Sequence, residues 1–387
     1  MMFENRVKLL KILGFEVKID ISWIIIAILV TWSLAESVFP LYNPDLSPQV
    51  YWILGIAGTI CLFGSIIFHE LCHSLVARRY GLPMRGITLF IFGGVAEMDE
   101  EPTQPKVEFF MALAGPLSSI ALGATCFILF GIGKSTQWPA PFLMILSYLG
   151  TINIFLAIFN LIPAFPLDGG RIFRSLLWHQ KKDLLWATRV AAGTGSGFGL
   201  FLIILGAISA LGGGIVSGIW WVLIGVFLRG ASKMSYQSVL IRDTLQGEPV
   251  AKFMHTNAVT VSPEASVEEV VEDYFYKYDN KMYPVVDEFE NVKYISISDV
   301  RMLPRKEWKT HHVTELAHNY TTDTAIDLKE DALKALSIMN KTGYSQMMVI
   351  DGGGKLVGTV AMKDLIRYLS EKIEIEKDGF SNNNHPE

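Results

Sequence analysis

Six stretches of the chain, residues 21–39, 51–77, 108–131, 142–164, 195–211 and 215–231, are dominated by Ile, Leu, Val, Phe, Ala and Gly. Most are long enough to cross a hydrocarbon core about 30 Å thick as helices. Backbone in lipid must satisfy its own hydrogen bonds, so a bundle of helices is the fold open to them. The 51% hydrophobic content of the 387 residues is concentrated in these runs, and from about Arg242 onward the composition is that of a water-soluble domain. The chain therefore reads as a polytopic α-helical membrane domain of about six transmembrane helices followed by a soluble α/β part.

Cations orient the bundle, because Lys and Arg near segment ends resist translocation and collect on the cytoplasmic side. Arg6, Lys8, Lys11 and Lys18 precede the first run; Arg78, Arg79, Arg85 and Lys106 follow the second; Arg171, Arg174, Lys181, Lys182 and Arg189 follow the fourth. The alternate connections hold only Lys134. This alternation predicts a multi-pass protein of the cell membrane with both termini, and hence the soluble part, in the cytoplasm. The first run follows an amphipathic lead without a small-residue cleavage site, so no removable signal peptide is expected. A net charge of −5 is small for this length and argues against a nucleic-acid partner. Cys61, Cys72 and Cys126 lie inside apolar runs without CxxC spacing and read as buried free thiols.

The second run ends in FHELCHSLVARRY, from Phe68 to Tyr80. Residues i and i+4 share a helix face, so His69 and His73 can offer two imidazole nitrogens to one ion. Glu70 beside them is placed to take a proton from water and hand it to a leaving amine. The alternative is a set of satisfied core polar groups. An ionisable residue at membrane depth costs about 2.5–3.5 kcal/mol on insertion scales, however, so three within five positions call for a function or a compensating charge. A catalytic metal commonly takes three protein ligands, and the third candidate lies in FNLIPAFPLDGGRI. There Pro163 and Pro166 break the fourth apolar run, Asp168 follows, and Gly169 and Gly170 permit unusual backbone angles that can aim the carboxylate at a neighbouring helix. A simple turn is the competing reading.

HELCH on one span and NLIPAFPLDGG on a later one resemble the paired motifs of the site-2 protease family of intramembrane zinc metalloproteases. The resemblance implies that His69, His73 and Asp168 bind zinc, that Glu70 is the general base, and that Asn160 holds the substrate or its oxyanion. Between these motifs RGITLFIFGGVAEMDE, residues 85–100, has β-rich character and suggests a hairpin near the site. Such an edge could pair with the unwound backbone of a transmembrane substrate. AGPLSS, residues 114–119, is similar to a family pattern in which an asparagine follows Gly-Pro; here Ser118 and Ser119 stand instead, and the stretch reads as helix packing with a Pro kink. Glycines at 193, 195, 197 and 199 read as packing positions. Glu36 is expected near the outer interface and His179 exposed.

In the soluble half two segments repeat one order: strand, amphipathic helix, strand, acidic turn, strand, helix. Val267, Val270, Val271 and Phe275 mark the first helix, Leu333, Leu336 and Met339 the second, and YPVVD and MMVID the central strands. The repeat resembles tandem cystathionine-β-synthase (CBS) domains, which in many members bind adenine nucleotides between repeats. The resemblance implies ribose contacts from Ser296 and Asp299 in the first repeat and from Asp364 in the second, where Ala361 stands in the hydroxyl position. A helix-capping Asp is the alternative. ATP or another adenine nucleotide as a regulator, and a homodimer through the CBS domains, follow as expectations.

These resemblances divide the chain into a transmembrane metalloprotease domain at 1–235, a linker at 236–248, CBS repeats at 249–308 and 309–372, and a disordered tail at 373–387. They imply a lipid-embedded zinc endopeptidase that cuts within or beside a transmembrane segment of a protein substrate. Two other readings share the residues: a CBS-regulated metal transporter or channel, with His69, His73 and Asp168 lining a path, and an inert scaffold, against which the intact Glu70 argues.

Overall fold

The computed structural model describes residues 6–91, 93–98, 101–278 and 280–381. They form two compact units, Met1–Gln237 and Ser238–Glu387.

The first unit opens with β1 (Arg6–Ile12) and β2 (Phe15–Asp20), followed by α1 (Ser22–Ser33), a π turn at Leu34–Val38 and α2 (Phe39–Tyr42). Then come α3 (Pro48–Arg79), β3 (Met84–Phe90), β4 (Gly93–Met98), α4 (Pro105–Ser135), α5 (Ala140–Asn160), α6 (Asp168–Lys181), α7 (Leu184–Leu211) and α8 (Ile215–Leu245). Among the described residues six helical stretches are long and apolar enough to cross a membrane: Ser22–Tyr42, α3, α4, α5, α7 and α8. The fifth begins at Leu184 rather than near residue 195, because Asp183 caps it by accepting a hydrogen bond from the Trp186 N–H at 2.8 Å. Proline in the first turn starts α3, α4 and α5, where its missing N–H costs nothing.

The amphipathic N-terminal lead is a strand pair. Leu13 and Gly14, with φ of 49° and 94°, make a two-residue turn that joins β1 to β2. Together with β3 and β4 they form one sheet in the order β1-β2-β3-β4, with β2 and β3 parallel. The expected hairpin between the second and third spans is thus the outer half of a larger sheet. Lys18 pairs with Glu97 at 3.0 Å across it, and Thr88 Oγ1 donates to the same carboxylate at 2.6 Å.

Lipid offers no hydrophobic drive between helices, so small residues and polar contacts hold the bundle. A Cβ on Gly55 would lie 2.8 Å from the Thr31 carbonyl oxygen, and Thr31 and Thr59 hydroxyls meet at 2.8 Å. Asn153 on α5, fully buried, donates to Ser65 Oγ on α3 at 3.1 Å. The glycines of α7 divide: Gly195 and Gly199 lie against neighbouring backbone, whereas Cβ atoms at Gly193 and Gly197 would meet open space.

Arg174, one of the cations after the fourth span, also has a structural role. It lies on α6 with 1% exposure, and its Nε donates to Glu108 Oε1 of α4 at 2.8 Å, with Nη2 on the same oxygen. The guanidinium also sits 5.0 Å from the Phe165 ring centre. It is therefore the structural partner of a buried acid as well as one of the cations of that connection.

The second unit holds two similar halves. The first contains α9 (Val267–Val270) continuing into a π turn, β5 (Met282–Val286), β6 (Val292–Ser296), α10 (Ile297–Met302) and α11 (Val313–Leu316). The second contains β7 (His318–Asn319), β8 (Ala325–Asp327), α12 (Ala332–Thr342), β9 (Gln346–Ile350), β10 (Leu356–Ala361) and α13 (Met362–Ser381). The halves interlock. β7 pairs with β6 of the first half, while His255, ahead of the first half, bridges Thr359 on β10 of the second. Val267, Val270 and Val271 are buried in one core, and Leu336 and Met339 in the other. Asp287 and Asp351 organise the acidic turns. Asp287, bonded by the Asn291 side chain, and Asp351, bonded by the Lys355 N–H, are both held below the usual carboxylate range.

The tail expected to be disordered from 373 is helical as far as Ser381, since the IEIEK stretch is made of residues compatible with a helix. The rest of that tail lies outside the described residues.

Breaking the Glu108–Arg174 pair from one side should cost about 3–5 kcal/mol, because one charge is left buried without its partner. We expect Glu108→Ala to lower the melting temperature of the detergent-solubilised protein sharply, and Glu108→Leu with Arg174→Met to restore most of it. Equal losses in the single and double variants would contradict the assignment.

Candidate metal centre

His69 lies ten residues before Arg79, the basic end of α3, or about 15 Å along the helix. The imidazoles of His69 and His73 share one face, with their Nε2 atoms 3.1 Å apart. Asp168 Oδ2 reaches them at 3.0 Å and 3.2 Å. One donor atom from each of the three residues lies within 4.8 Å of the others, so together they can hold one divalent ion.

Backbone geometry delivers the carboxylate. Pro163 and Pro166 end the run of α5, and α6 restarts with Asp168 as its first residue. Gly169 and Gly170 have helical angles, not the unusual ones expected of them. What they supply is space: a Cβ on Gly169 would come 2.3 Å from the Leu161 carbonyl, and one on Gly170 would come 2.4 Å from the Phe165 nitrogen. Opposite this turn, Ser232 on α8 donates to the Phe165 carbonyl oxygen at 2.5 Å.

The ring nitrogens that face away from the centre are also engaged. His73 Nδ1 donates to the Met111 carbonyl at 2.6 Å, which leaves its Nε2 lone pair facing the other ligands. His69 Nδ1 lies 2.9 Å from Ser119 Oγ. Such outer partners hold ligating imidazoles in orientation and tautomer. Ser119 is therefore more than a packing residue, and the AGPLSS stretch is corrected accordingly. Gly115, one turn earlier on α4, gives the rings their room: a Cβ there would sit 2.2 Å from His73 Nε2 and 2.4 Å from His69 Nε2. The spacing of Gly115 and Ser119, i and i+4 on one helix face, was the available signal.

Glu70, His69, His73, Asp168 and Asn160 line one cavity of about 360 Å³. Asn160 is the last residue of α5. β4, at the edge of its sheet, forms a wall, and a Cβ on Gly94 would lie 2.8 Å from Glu70 Cγ. Gly94 thus lets an edge strand approach the glutamate, a role the sequence reading did not give it. Among the described residues no metal-competent group of three or more His, Cys, Asp or Glu appears other than His69, His73 and Asp168. Glu36 and His179 are exposed and join no such group.

In the second unit Ser296 and Asp299 are spent largely on each other. The Ser296 hydroxyl and N–H both donate to Asp299 Oδ2, at 2.6 Å and 2.8 Å, closing a capping box at the start of α10. Asp299 Oδ1 meets His318 Nε2 at 3.1 Å. Asp364, buried, meets His255 Nε2 at 2.8 Å and accepts from Arg367 at 3.1 Å. A cavity of about 440 Å³ is lined by Thr256, Asn257 and Ala258 after His255 and by Lys355 to Gly358 on the approach to Thr359.

Two imidazoles and a carboxylate converging beside a glutamate, among helices apolar enough to span a bilayer, are the marks of a membrane-embedded metallopeptidase. Comparison with known proteins gives the family. The Peptidase family M50 model matches residues 57–137 and 129–205, and the CBS domain model matches 250–305 and 320–371. The chain is 32% identical over 366 residues to Rip3, a candidate zinc metalloprotease of Mycobacterium tuberculosis, covering 94% of this chain and 93% of that protein. It is 29% identical over 364 residues to the zinc metalloprotease MJ0392 of Methanocaldococcus jannaschii, covering 94% and 96%. A solved site-2 protease from Methanocaldococcus jannaschii is 30% identical over 59% of this chain and 94% of its own, with a TM-score of 0.42. The chain belongs to Peptidase family M50, the site-2 proteases, and carries tandem CBS domains; it is a zinc metalloendopeptidase of that type.

Zinc, the metal of this family, suits a set of two neutral imidazole nitrogens and one carboxylate oxygen with further room in the cavity. Gly115→Ala should abolish zinc retention through the Cβ it adds, and Ser119→Ala should weaken zinc affinity about 10- to 100-fold. Metal analysis after titration with a chelator measures both. Wild-type retention in Gly115→Ala would contradict the geometry.

Proposed function

We propose that His69, His73 and Asp168 hold the zinc and that Glu70 is the general base in hydrolysis of a peptide bond within or beside a transmembrane segment of another protein. The observation that carries this reading is the opening of all four side chains onto one cavity walled by an edge strand. Zinc, when bound there, supplies a Lewis acid that polarises a carbonyl and lowers the pKa of water.

The chain's own residues do the rest. Glu70 takes the proton of the attacking water as its oxygen bonds to the carbonyl carbon, and returns that proton to the amide nitrogen as the C–N bond breaks. Asn160, on the same cavity, donates its amide N–H to the oxyanion that forms or holds the neighbouring substrate backbone. A substrate helix hides its amides in internal hydrogen bonds, so it must unwind before cleavage. The edge of β4 offers the unwound segment new backbone partners beside Glu70. The cations at the end of α3 support a site toward the cytoplasmic face, with the CBS repeats and the released product on that side.

Regulation by an adenine nucleotide at the CBS repeats belongs to the same proposal. The cavity lined by Thr256 to Ala258 follows His255, the hydrogen-bond partner of Asp364, and supports the second-repeat aspartate as the ribose partner, whereas the capping box already occupies Asp299. Phe289 and Met302, both exposed on the first repeat, support a second copy of the chain as a partner there.

Glu70→Gln should keep one zinc per chain and reduce cleavage of a co-expressed membrane substrate by about 10²–10⁴-fold. A variant that still cleaves at the wild-type rate would remove Glu70 from the reaction. ATP should raise the melting temperature of the full-length protein, and Asp364→Ala should diminish that rise more than Asp299→Ala. No shift in the wild type would end the nucleotide proposal.

A further inference from the structure

A further cavity lies apart from the metal site and the CBS cleft. It measures about 370 Å³ and lies between α7 and α8, lined by Arg189, Ser196, Arg229, Lys233 and Tyr236 with small residues between them. Three of its lining side chains are cations and none is an acid. Among the described residues neither Arg229 nor Lys233 appears in an ion pair. Small residues make the room: a Cβ on Gly193 or Gly230 would meet nothing within 4 Å. The stem of Arg229 packs against Gly199 of α7, where a Cβ would lie 2.6 Å from its Cγ.

Position adds to charge. Arg189 is near the start of α7 and Lys233 in the last half of α8, so all three cations lie at the end of the bundle that also carries Lys181 and Lys182. The cationic end of a spanning bundle is where lipid phosphates are met, and basic pockets between membrane helices take such groups. Arg presents planar donors, Lys a point charge, and Ser196 and Tyr236 add hydroxyls, a donor set suited to phosphate oxygens.

We propose that this cavity binds a phosphate group, presented by an anionic lipid headgroup or by a soluble phosphate ester. Its occupant bridges α7 to α8 directly beside the contact in which Ser232 holds the Phe165 carbonyl and a Cβ on Gly195 would lie 1.9 Å from the same oxygen. Phe165 is three residues before Asp168, so the bound phosphate braces the segment that presents the carboxylate ligand.

The test uses full-length protein in nanodiscs of phosphatidylcholine, of phosphatidylcholine with phosphatidylglycerol, and of phosphatidylcholine with added glycerol phosphate, reading the melting temperature and the lipid retained in native mass spectrometry. Phosphatidylglycerol or glycerol phosphate should raise the melting temperature, and whichever does so names the source. Arg229→Gln and Lys233→Gln should each weaken retention about five-fold. Gly193→Leu, which fills the space and leaves every cation in place, should abolish the response, while Lys134→Gln at the other end of the bundle should not change it. No response to either phosphate source, or a response that survives Gly193→Leu or falls equally with Lys134→Gln, would overturn the proposal.

Discussion

The first unit depends on the meeting of two imidazoles and one carboxylate at a depth where water is scarce. Each of these groups alone would be expensive in hydrocarbon. A divalent cation held between them would offset that cost, and the neighbours complete the arrangement. The Met111 carbonyl and the Ser119 hydroxyl hold the outer ring nitrogens. The buried Glu108–Arg174 pair joins α4, which carries these partners, to α6, which carries Asp168. Residues far apart in sequence thus serve one small volume.

Space is controlled as closely as charge. Gly115 leaves room for the imidazoles, Gly169 and Gly170 let α6 turn against the broken end of α5, Gly195 admits the Phe165 carbonyl, and Gly94 brings an edge strand against Glu70. None of these glycines is required by an unusual φ. Each is required because another group occupies the volume a side chain would take. Chemistry and substrate presentation meet at Gly94, since the strand that can extend a substrate backbone touches the residue assigned as the base.

Much of this was legible from the sequence, for stated reasons. Long apolar runs can only be spanning helices, and the i, i+4 histidines with a glutamate between them announce a shared helix face. Asp168 could be singled out because two prolines break the fourth apolar run and leave a carboxylate at the break. The outer partners were harder to see. Ser119 and Met111 act from another helix, one of them through a backbone oxygen that no residue type reveals. Arg174 looked like one more loop cation, because pairing with Glu108 across 66 residues leaves no local trace. The lead before the first span is amphipathic, and Leu13-Gly14 marks the turn that folds it into a strand pair. In the soluble unit the strands and helices followed from local patterning. The exchange of segments between the halves, which puts His255 against Asp364 and His318 against Asp299, depends on three-dimensional pairing alone.

The central claim concerns which atoms surround the metal, and zinc K-edge X-ray absorption on the purified full-length protein tests it most directly. The account predicts a first shell of nitrogen and oxygen scatterers at about 2.0–2.2 Å, with the imidazole multiple-scattering pattern of two histidines and a loss of one light scatterer in Asp168→Ala. A sulfur scatterer near 2.3 Å, which Cys72 or another thiol would contribute, or a spectrum unchanged by Asp168→Ala, would contradict it.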